Sequence, residues 1–184
     1  MSEFNLKKGD ILLTRNETFL SKAIRIFQQD PNESRSVVSH VGIVVEDGTE
    51  SSAVIIEALT KVRRHTIEKA YGKSKEKLFI ARPCSLSEDN ILKVVAKAEQ
   101  YNGKTYGYLK VAAHALDRLF RGQYVFRRLC FMDDYPICSW IVAYSYDEIN
   151  YRFGVLPTLC QPDDIWDNVK FGMIRNKWDL FRIK

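Results

Sequence analysis

The stretch that decides the fold reads Ser39-His-Val-Gly-Ile-Val-Val45, then Glu46-Asp-Gly-Thr-Glu-Ser-Ser52, then Ala53-Val-Ile-Ile-Glu-Ala58. Its first and last segments are rich in β-branched residues, and the middle segment has the small polar residues of a turn. Together they predict a β-hairpin. If the turn is centred on Gly48 and Thr49, residues 40 and 57 lie directly opposite each other, with Cβ atoms about 5 Å apart.

Outward from this hairpin, further strand and helix patterns follow. Short apolar, β-rich runs predict more strands, at Ile11–Leu13, Val62–Ile67, Leu78–Arg82 and Phe171–Leu180. Apolar residues at helical spacing predict helices at Thr18–Gln29, Ser87–Tyr101, Leu109–Phe120 and Ile137–Ile149, and a helical turn at Pro162–Trp166. With the hairpin in a central place, the order predicts an α+β domain built on an antiparallel sheet.

Length and composition fit one globular domain over residues 1–184. Hydrophobic residues make up 46% of the chain and charged residues 28%, which excludes a disordered or collagenous protein. No apolar run reaches the roughly 18 residues of a membrane span, and the first ten residues lack an apolar signal segment. We therefore expect a cytoplasmic protein.

The charge balance is only mildly basic. The formal net charge is +5, without a phosphate-binding glycine loop or a base-reading motif, so nucleic acid is not an expected partner. The basic, aromatic segment Arg118–Arg128 could make weak contact with an anionic membrane, although a solvated basic surface is the simpler interpretation.

One of the four cysteines has a setting that favours chemistry. Cys138 follows Asp133, Asp134 and Pro136, which together are typical of a helix start. The helix dipole stabilises a thiolate at that position, and the thiolate is the nucleophilic form of cysteine. The alternative is an inert core cysteine. None of the cysteines forms a CxxC pair or a zinc-ligand spacing, so a zinc site is not expected. Acyl transfer by a thiol needs neither a metal nor an organic cofactor.

His40 and Glu57 are the candidate partners of that thiol. His40 opens an apolar strand, and Gly42 leaves room beside it on the same face of the strand. Across the predicted hairpin, the Glu57 carboxylate could accept a hydrogen bond from one imidazole nitrogen and leave the other for a nucleophile. A solvent-exposed histidine and an edge-strand charge are the alternatives. His65, in a basic run, is expected on the surface, and His114 in helix packing.

The chain resembles the circularly permuted, papain-like NlpC-type cysteine hydrolases, the bacterial permuted amidase group that has a poxvirus relative. The resemblance is carried, in order, by Gly9-Asp-Ile-Leu-Leu13, Ser39-His-Val-Gly-Ile-Val44, Ile56-Glu-Ala58 and Ile137-Cys-Ser-Trp-Ile-Val142. Similar residues also fall at Tyr106-Gly-Tyr108 and Gln161-Pro-Asp-Asp164. The set spans nearly the whole chain.

The resemblance implies a permuted papain-like fold, with a small antiparallel barrel or sheet packed against the helix that bears the nucleophile. It also implies roles: Cys138 as nucleophile, His40 as base and Glu57 as the residue that orients His40. The expected function is that of a cysteine amidase or peptidase acting on a small amide or peptide-like substrate through a thioester. Two alternatives stay open: a thiol-dependent lipid acyltransferase or phospholipase of the lecithin retinol acyltransferase type, and a non-enzymatic binding module with a relic triad.

Overall fold

The computed structural model describes residues 4–15, 37–105 and 136–184. Six strands lie in these residues: β1 (Ile11–Arg15), β2 (His40–Glu46), β3 (Val54–Ala58), β4 (Val62–Thr66), β5 (Lys77–Pro83) and β6 (Trp178–Arg182). The helices are α1 (Ile67–Tyr71), α2 (Glu88–Glu99), α3 (Cys138–Asp147) and α4 (Pro162–Met173), with a 3₁₀ turn at Pro157–Leu159. The described chain is therefore α+β, as the sequence predicts.

All six strands join one antiparallel sheet in the order β4-β3-β2-β1-β5-β6. Within the described residues the sheet is open, with β4 and β6 at its edges. Of the two expected forms, a small barrel or a sheet, the sheet is therefore correct. Helices α2, α3 and α4 cover one face through a shared apolar cluster, and α1 covers the other. In the described part of the chain, no helix has the length and apolar character to cross a membrane.

Most of the predicted elements that fall in the described residues are confirmed. Ser87 caps α2 by accepting a hydrogen bond from the backbone N–H of Asn90. The strand predicted at Phe171–Leu180 is wrong in its first part, because α4 continues to Met173. Gly172 lets α4 lie against Trp178: a Cβ at residue 172 would sit 2.5 Å from Trp178 Cδ1. The helices predicted at 18–29 and 109–120 and the segment 118–128 lie outside the described residues.

The predicted hairpin register is wrong by two residues. Glu57 lies opposite Gly42, while the Cα of His40 pairs with Thr14 of β1. Gly48 is not at the hairpin tip, because it pairs with Leu6 instead, and the turn closes further on. An irregularity between residues 44 and 46 adds a further shift. Because the error is an even number of residues, His40 and Glu57 still share one face of the sheet.

The Gly9-Asp10 motif ties several elements together. Gly9 has a φ of +83°, a left-handed conformation that glycine adopts without strain. Its carbonyl accepts a hydrogen bond of 2.5 Å from the Tyr146 hydroxyl of α3. The buried Asp10 carboxylate accepts two hydrogen bonds from Arg82 of β5, at 2.9 and 2.7 Å. The motif thus fixes the start of β1 against α3 and β5.

Candidate active site

The thiol of Cys138 lies at the first residue of α3. The N-cap residue, Ile137, has an extended backbone and an apolar side chain, so it offers the free N–H groups of the first turn no side-chain acceptor. The Cys138 sulfur accepts hydrogen bonds from the backbone N–H groups of Val41 and Ser139, and it interacts with the His40 side chain. The start of α3 is thereby joined to the start of β2.

His40 bridges the thiol to Glu57. Its Nε2 atom lies 2.7 Å from Glu57 Oε2. Because Nε2 is taken by the carboxylate, Nδ1 is the nitrogen that remains for the Cys138 thiol. Gly42 makes this possible, since a Cβ at residue 42 would lie 3.1 Å from the Glu57 Cβ. The structure therefore brings Cys138, His40 and Glu57 into one continuous chain of contacts, although they span about a hundred residues of sequence.

Glu57 is a fully buried carboxylate on an inner strand, which rules out its alternative interpretation as an edge-strand charge. Besides His40, it accepts hydrogen bonds from Tyr71, whose hydroxyl lies 2.5 Å from Oε2, and from His65, whose Nε2 lies 2.5 Å from Oε1. The expectation that His65 is a surface residue is wrong: its side chain is only 10% exposed, because it packs against Glu57.

The electrostatics of these groups favour a thiolate–imidazolium pair. Burial alone raises the pKa of Cys138, but the neighbouring His40 charge and the hydrogen bonds to the sulfur outweigh it and lower the pKa below its usual value. For His40, burial lowers the pKa, and the charges of Cys138 and Glu57 outweigh that effect and raise it well above 6.5. Both directions favour the form in which His40, rather than the thiol, holds the proton.

The carboxylate is stabilised in its ionised form. Burial raises the pKa of Glu57, yet the hydrogen bonds from His40, His65 and Tyr71 outweigh burial and lower the pKa to about 2. Burial and the nearby Glu57 charge raise the pKa of Tyr71 well above 10. The phenol therefore stays protonated and donates a hydrogen bond to Glu57. Glu57 therefore acts as an anionic acceptor toward all three side chains.

The other described cysteines lack such an environment. Cys84 is exposed, and slight desolvation together with the Asp179 carboxylate raises its pKa. Cys160 is fully buried, and burial raises its pKa well above 9. Cys130 lies outside the described residues. Among the described thiols, low pKa is therefore a property of Cys138.

We expect iodoacetamide at pH 6 to label Cys138 well ahead of Cys84, Cys130 and Cys160, because only a thiolate reacts at an appreciable rate. The order of labelling is read by peptide mass mapping of the folded protein. His40→Ala should slow the labelling of Cys138, since it removes the imidazolium that stabilises the thiolate. Equal labelling of all four cysteines at pH 6 would contradict this expectation.

The start of α3 also supplies a donor for a developing oxyanion. The backbone N–H of Cys138 is at the first position of α3, where an N–H has no carbonyl partner within the helix. A thiolate, a proton-holding imidazole and an N–H donor at a helix start are the parts needed for nucleophilic acyl transfer. Tyr135, a weaker candidate for a second donor, lies outside the described residues.

Among residues 4–15, 37–105 and 136–184, no cluster of His, Cys, Asp and Glu has a metal-binding arrangement.

Two side chains of the site, Tyr71 and His65, were missed by sequence reasoning. Tyr71 lies on a helix of five residues, which is too short for a periodic pattern to reveal. His65 lies opposite Ile55, on the same face of the sheet as Glu57, but this follows from the pairing of β4 with β3, which no pattern within the segment shows.

A comparison with protein families matches residues 5–161 to the family described as "Permuted papain-like amidase enzyme, YaeF/YiiX, C92 family". The match covers most of the chain and includes all three of the residues singled out from the sequence. A search of curated proteins gives no match to this chain.

Proposed function

The chain belongs to the permuted papain-like amidase family, a family of cysteine peptidases and amidases, and from that premise we propose that it cleaves small amide or peptide-like substrates with a Cys138–His40–Glu57 triad. The observation that carries the proposal is the continuous contact from the thiol through the imidazole to a buried carboxylate. A relic triad in a binding module would not need to keep a thiolate–imidazolium pair.

The reaction begins with attack of the Cys138 thiolate on the substrate carbonyl. The C–S bond forms, and the carbonyl π electrons move to oxygen, where the Cys138 N–H stabilises the oxyanion. As the intermediate collapses, the C–N bond breaks and the His40 imidazolium gives its Nδ1 proton to the leaving amine. The products of this half are a thioester on Cys138, a free amine and a neutral His40.

The second half hydrolyses the thioester. Neutral His40 takes a proton from water as the water oxygen attacks the thioester carbonyl. The tetrahedral intermediate then expels the Cys138 thiolate and releases a carboxylic acid. His40 again holds its proton, so the starting ion pair is restored. Glu57 stays ionised throughout and stabilises the imidazolium without accepting its proton.

We propose a substrate with a free amine or a basic side chain. Glu76, just before β5, supports this: burial raises the pKa of its partly buried carboxylate, and the neighbouring His40 charge acts in the opposite direction and favours the ionised form. A carboxylate near the site attracts cationic substrates and repels lipid phosphates. Ser139, next to Cys138 in the chain, does not add to this polarity, because its side chain is buried and donates to the Cys160 carbonyl. Asp133 and Asp134 lie outside the described residues.

The test incubates wild-type protein and Cys138→Ala with a library of short cationic peptides and amino acid amides, and separately with mixed phospholipid vesicles. We expect release of amine from the cationic members, dependent on Cys138, at a rate several-fold above that for neutral analogues. Release of fatty acid from the vesicles that depends on Cys138, without peptide or amide cleavage, would overturn the proposal in favour of the lipid acyltransferase alternative.

A further inference from the structure

Two side chains besides His40 hold the Glu57 carboxylate, and both come from the continuous segment of β4 and α1. His65 donates from Nε2 to Oε1, and the Tyr71 hydroxyl donates to Oε2. We propose that Tyr71 and His65 are positioning residues, which fix the Glu57 carboxylate so that it holds the His40 imidazole beside Cys138. This inference rests on the proposed function, because it assigns both side chains to the same reaction.

The hydrogen bonds leave the carboxylate little freedom. Oε2 accepts from both His40 and Tyr71, and Oε1 accepts from His65. An ionised carboxylate offers about four acceptor positions, so all three bonds can be made at once. Rotation of the carboxylate plane would break at least one bond in a buried site, where an unmade hydrogen bond is costly. The hydrogen bonds from Tyr71 and His65 therefore keep the orientation of the Glu57 carboxylate fixed even when His40 moves.

The sheet register brings His65 to this carboxylate. In the pairing of β3 with β4, Ile55 lies opposite His65, and Glu57 lies opposite Arg63. Residues 55 and 57 point to the same face of β3, so His65 is the diagonal neighbour of Glu57 on that face. Because Glu57 is ionised and carries no proton, Nε2 of His65 must be the protonated nitrogen in their hydrogen bond.

A short helix brings Tyr71 to the same carboxylate. Thr66 caps α1 by accepting a hydrogen bond of 3.2 Å from the Lys69 backbone N–H, so the chain turns into the helix directly after His65. At the other end of α1, Lys184 Nζ donates to the Tyr71 carbonyl at 2.6 Å and to the Gly72 carbonyl at 3.2 Å. The backbone of Tyr71 is thus held from both sides, which places its hydroxyl.

Burial gives the two donors a second effect on the reaction. The Glu57 side chain is fully buried and Tyr71 is 5% exposed. Without such donors, the buried Glu57 carboxylate would have a higher pKa. It would then compete with the groups at Nδ1 for the proton of the His40 imidazolium. With three donors, the carboxylate remains a hydrogen-bond acceptor and does not become a proton acceptor. The positioning residues therefore protect the acid–base role of His40.

The test measures alkylation of Cys138 by iodoacetamide across pH 4–10, followed by mass spectrometry, in Tyr71→Phe and in its matched control, Tyr146→Phe. Tyr146 is also buried and also donates a hydrogen bond of 2.5 Å, but to the Gly9 carbonyl at the far end of α3. If Glu57 loses the hydrogen bond from Tyr71, it holds the His40 imidazolium less well, and the pKa of the Cys138 thiol rises. We expect the acidic midpoint to rise by about one pH unit in Tyr71→Phe, which slows labelling by up to about tenfold at pH values below the wild-type midpoint.

At pH 10, where the thiol is ionised in any case, Tyr71→Phe and wild type should react at similar rates. Tyr146→Phe should keep the wild-type profile throughout, even if its melting temperature falls. Loss of a buried hydroxyl alone lowers stability in both variants, so the pH profile separates positioning from a merely structural role.

A pair of variants at His65 tests the proposal independently of Tyr71, and decides it if Tyr71→Phe does not fold. His65→Leu removes the donor to Oε1, whereas His65→Gln restores a donor through its amide N–H. We expect a raised acidic midpoint in His65→Leu and a return toward the wild-type midpoint in His65→Gln.

Wild-type midpoints in both Tyr71→Phe and His65→Leu would overturn the positioning proposal and leave the proposed function standing. A wild-type Cys138 that reacts at pH 6 no faster than Cys84 would overturn the proposed function, and the positioning proposal with it.

Discussion

Replacing Cys138 with alanine is expected to lower kcat on an amide substrate by about 10⁴-fold or more, because no other described group can form the thioester. The free energy of unfolding should change by about 1 kcal/mol or less, since the side chain is small and lies at a helix start. Steady-state kinetics and urea unfolding measure the two quantities on the same preparation.

Two further variants sharpen this result. Cys138→Ser keeps the volume of the side chain, but its hydroxyl has too high a pKa to be ionised by His40, so it should be nearly as inactive as the alanine variant. Cys84→Ala changes an exposed thiol outside the site and should keep wild-type kcat and KM. A Cys138→Ser variant that retains more than about a tenth of wild-type kcat would contradict a thiolate mechanism.

Removing the Glu57 carboxylate is the second large expected effect. Glu57→Ala leaves three donors, on His40, His65 and Tyr71, without their common buried acceptor. Breaking a buried charged pair in this way should lower the free energy of unfolding by about 3–5 kcal/mol. It should also lower kcat by about 10³–10⁴-fold, since His40 loses the group that orients it.

Glu57→Gln should be milder and is the matched control. Its amide oxygen can accept from His40 and Tyr71, and its N–H₂ group can donate to His65 if that imidazole changes tautomer. The variant keeps the geometry but loses the charge that raises the pKa of His40. We expect measurable activity, reduced by about 10²-fold, with an alkaline limit of the pH–rate profile shifted to lower pH. Unchanged kinetics would show that another residue orients His40.

Wild type and Glu57→Gln should also differ in how their free energy of unfolding changes with pH. The pKa of Glu57 is lowered from 4.5 to about 2 in the folded protein, so its ionisation stabilises the fold fully above pH 4.5. That contribution, on the order of 3 kcal/mol, is lost as the pH falls from 4.5 toward 2. Urea unfolding from pH 6 to pH 2.5 should therefore show a smaller loss of stability in Glu57→Gln than in wild type. Parallel curves would contradict the assignment of Glu57 as a buried, ionised acceptor.

The main parts of the site could be predicted from the sequence because each has a local signal. Cys138 follows a helix-start pattern, His40 opens an apolar strand, and Glu57 interrupts a β-rich run. The error of two residues in the hairpin register did not matter for the site, because an even shift keeps every side chain on its face. The family resemblance implied the permuted papain-like fold and the roles of these three residues, which the residues alone left open.

The remaining parts depend on contacts that no local pattern encodes. The pairing of Gly48 with Leu6, which moves the hairpin turn, joins residues far apart in the chain. His65 lies in a basic run, which predicts a surface position. Only the pairing of β4 with β3 brings its side chain to Glu57. Tyr71 reaches the carboxylate through a five-residue helix whose formation depends on its tertiary contacts.

One titration tests most directly whether Cys138 is the nucleophile of an amidase. A peptidyl vinyl sulfone is added in fractions of one equivalent, the fraction of Cys138 modified is read by peptide mass mapping, and amidase activity is measured on each sample. We predict that activity falls in proportion to the unmodified fraction of Cys138 and reaches zero at one equivalent. Activity that persists when Cys138 is fully modified would contradict the account.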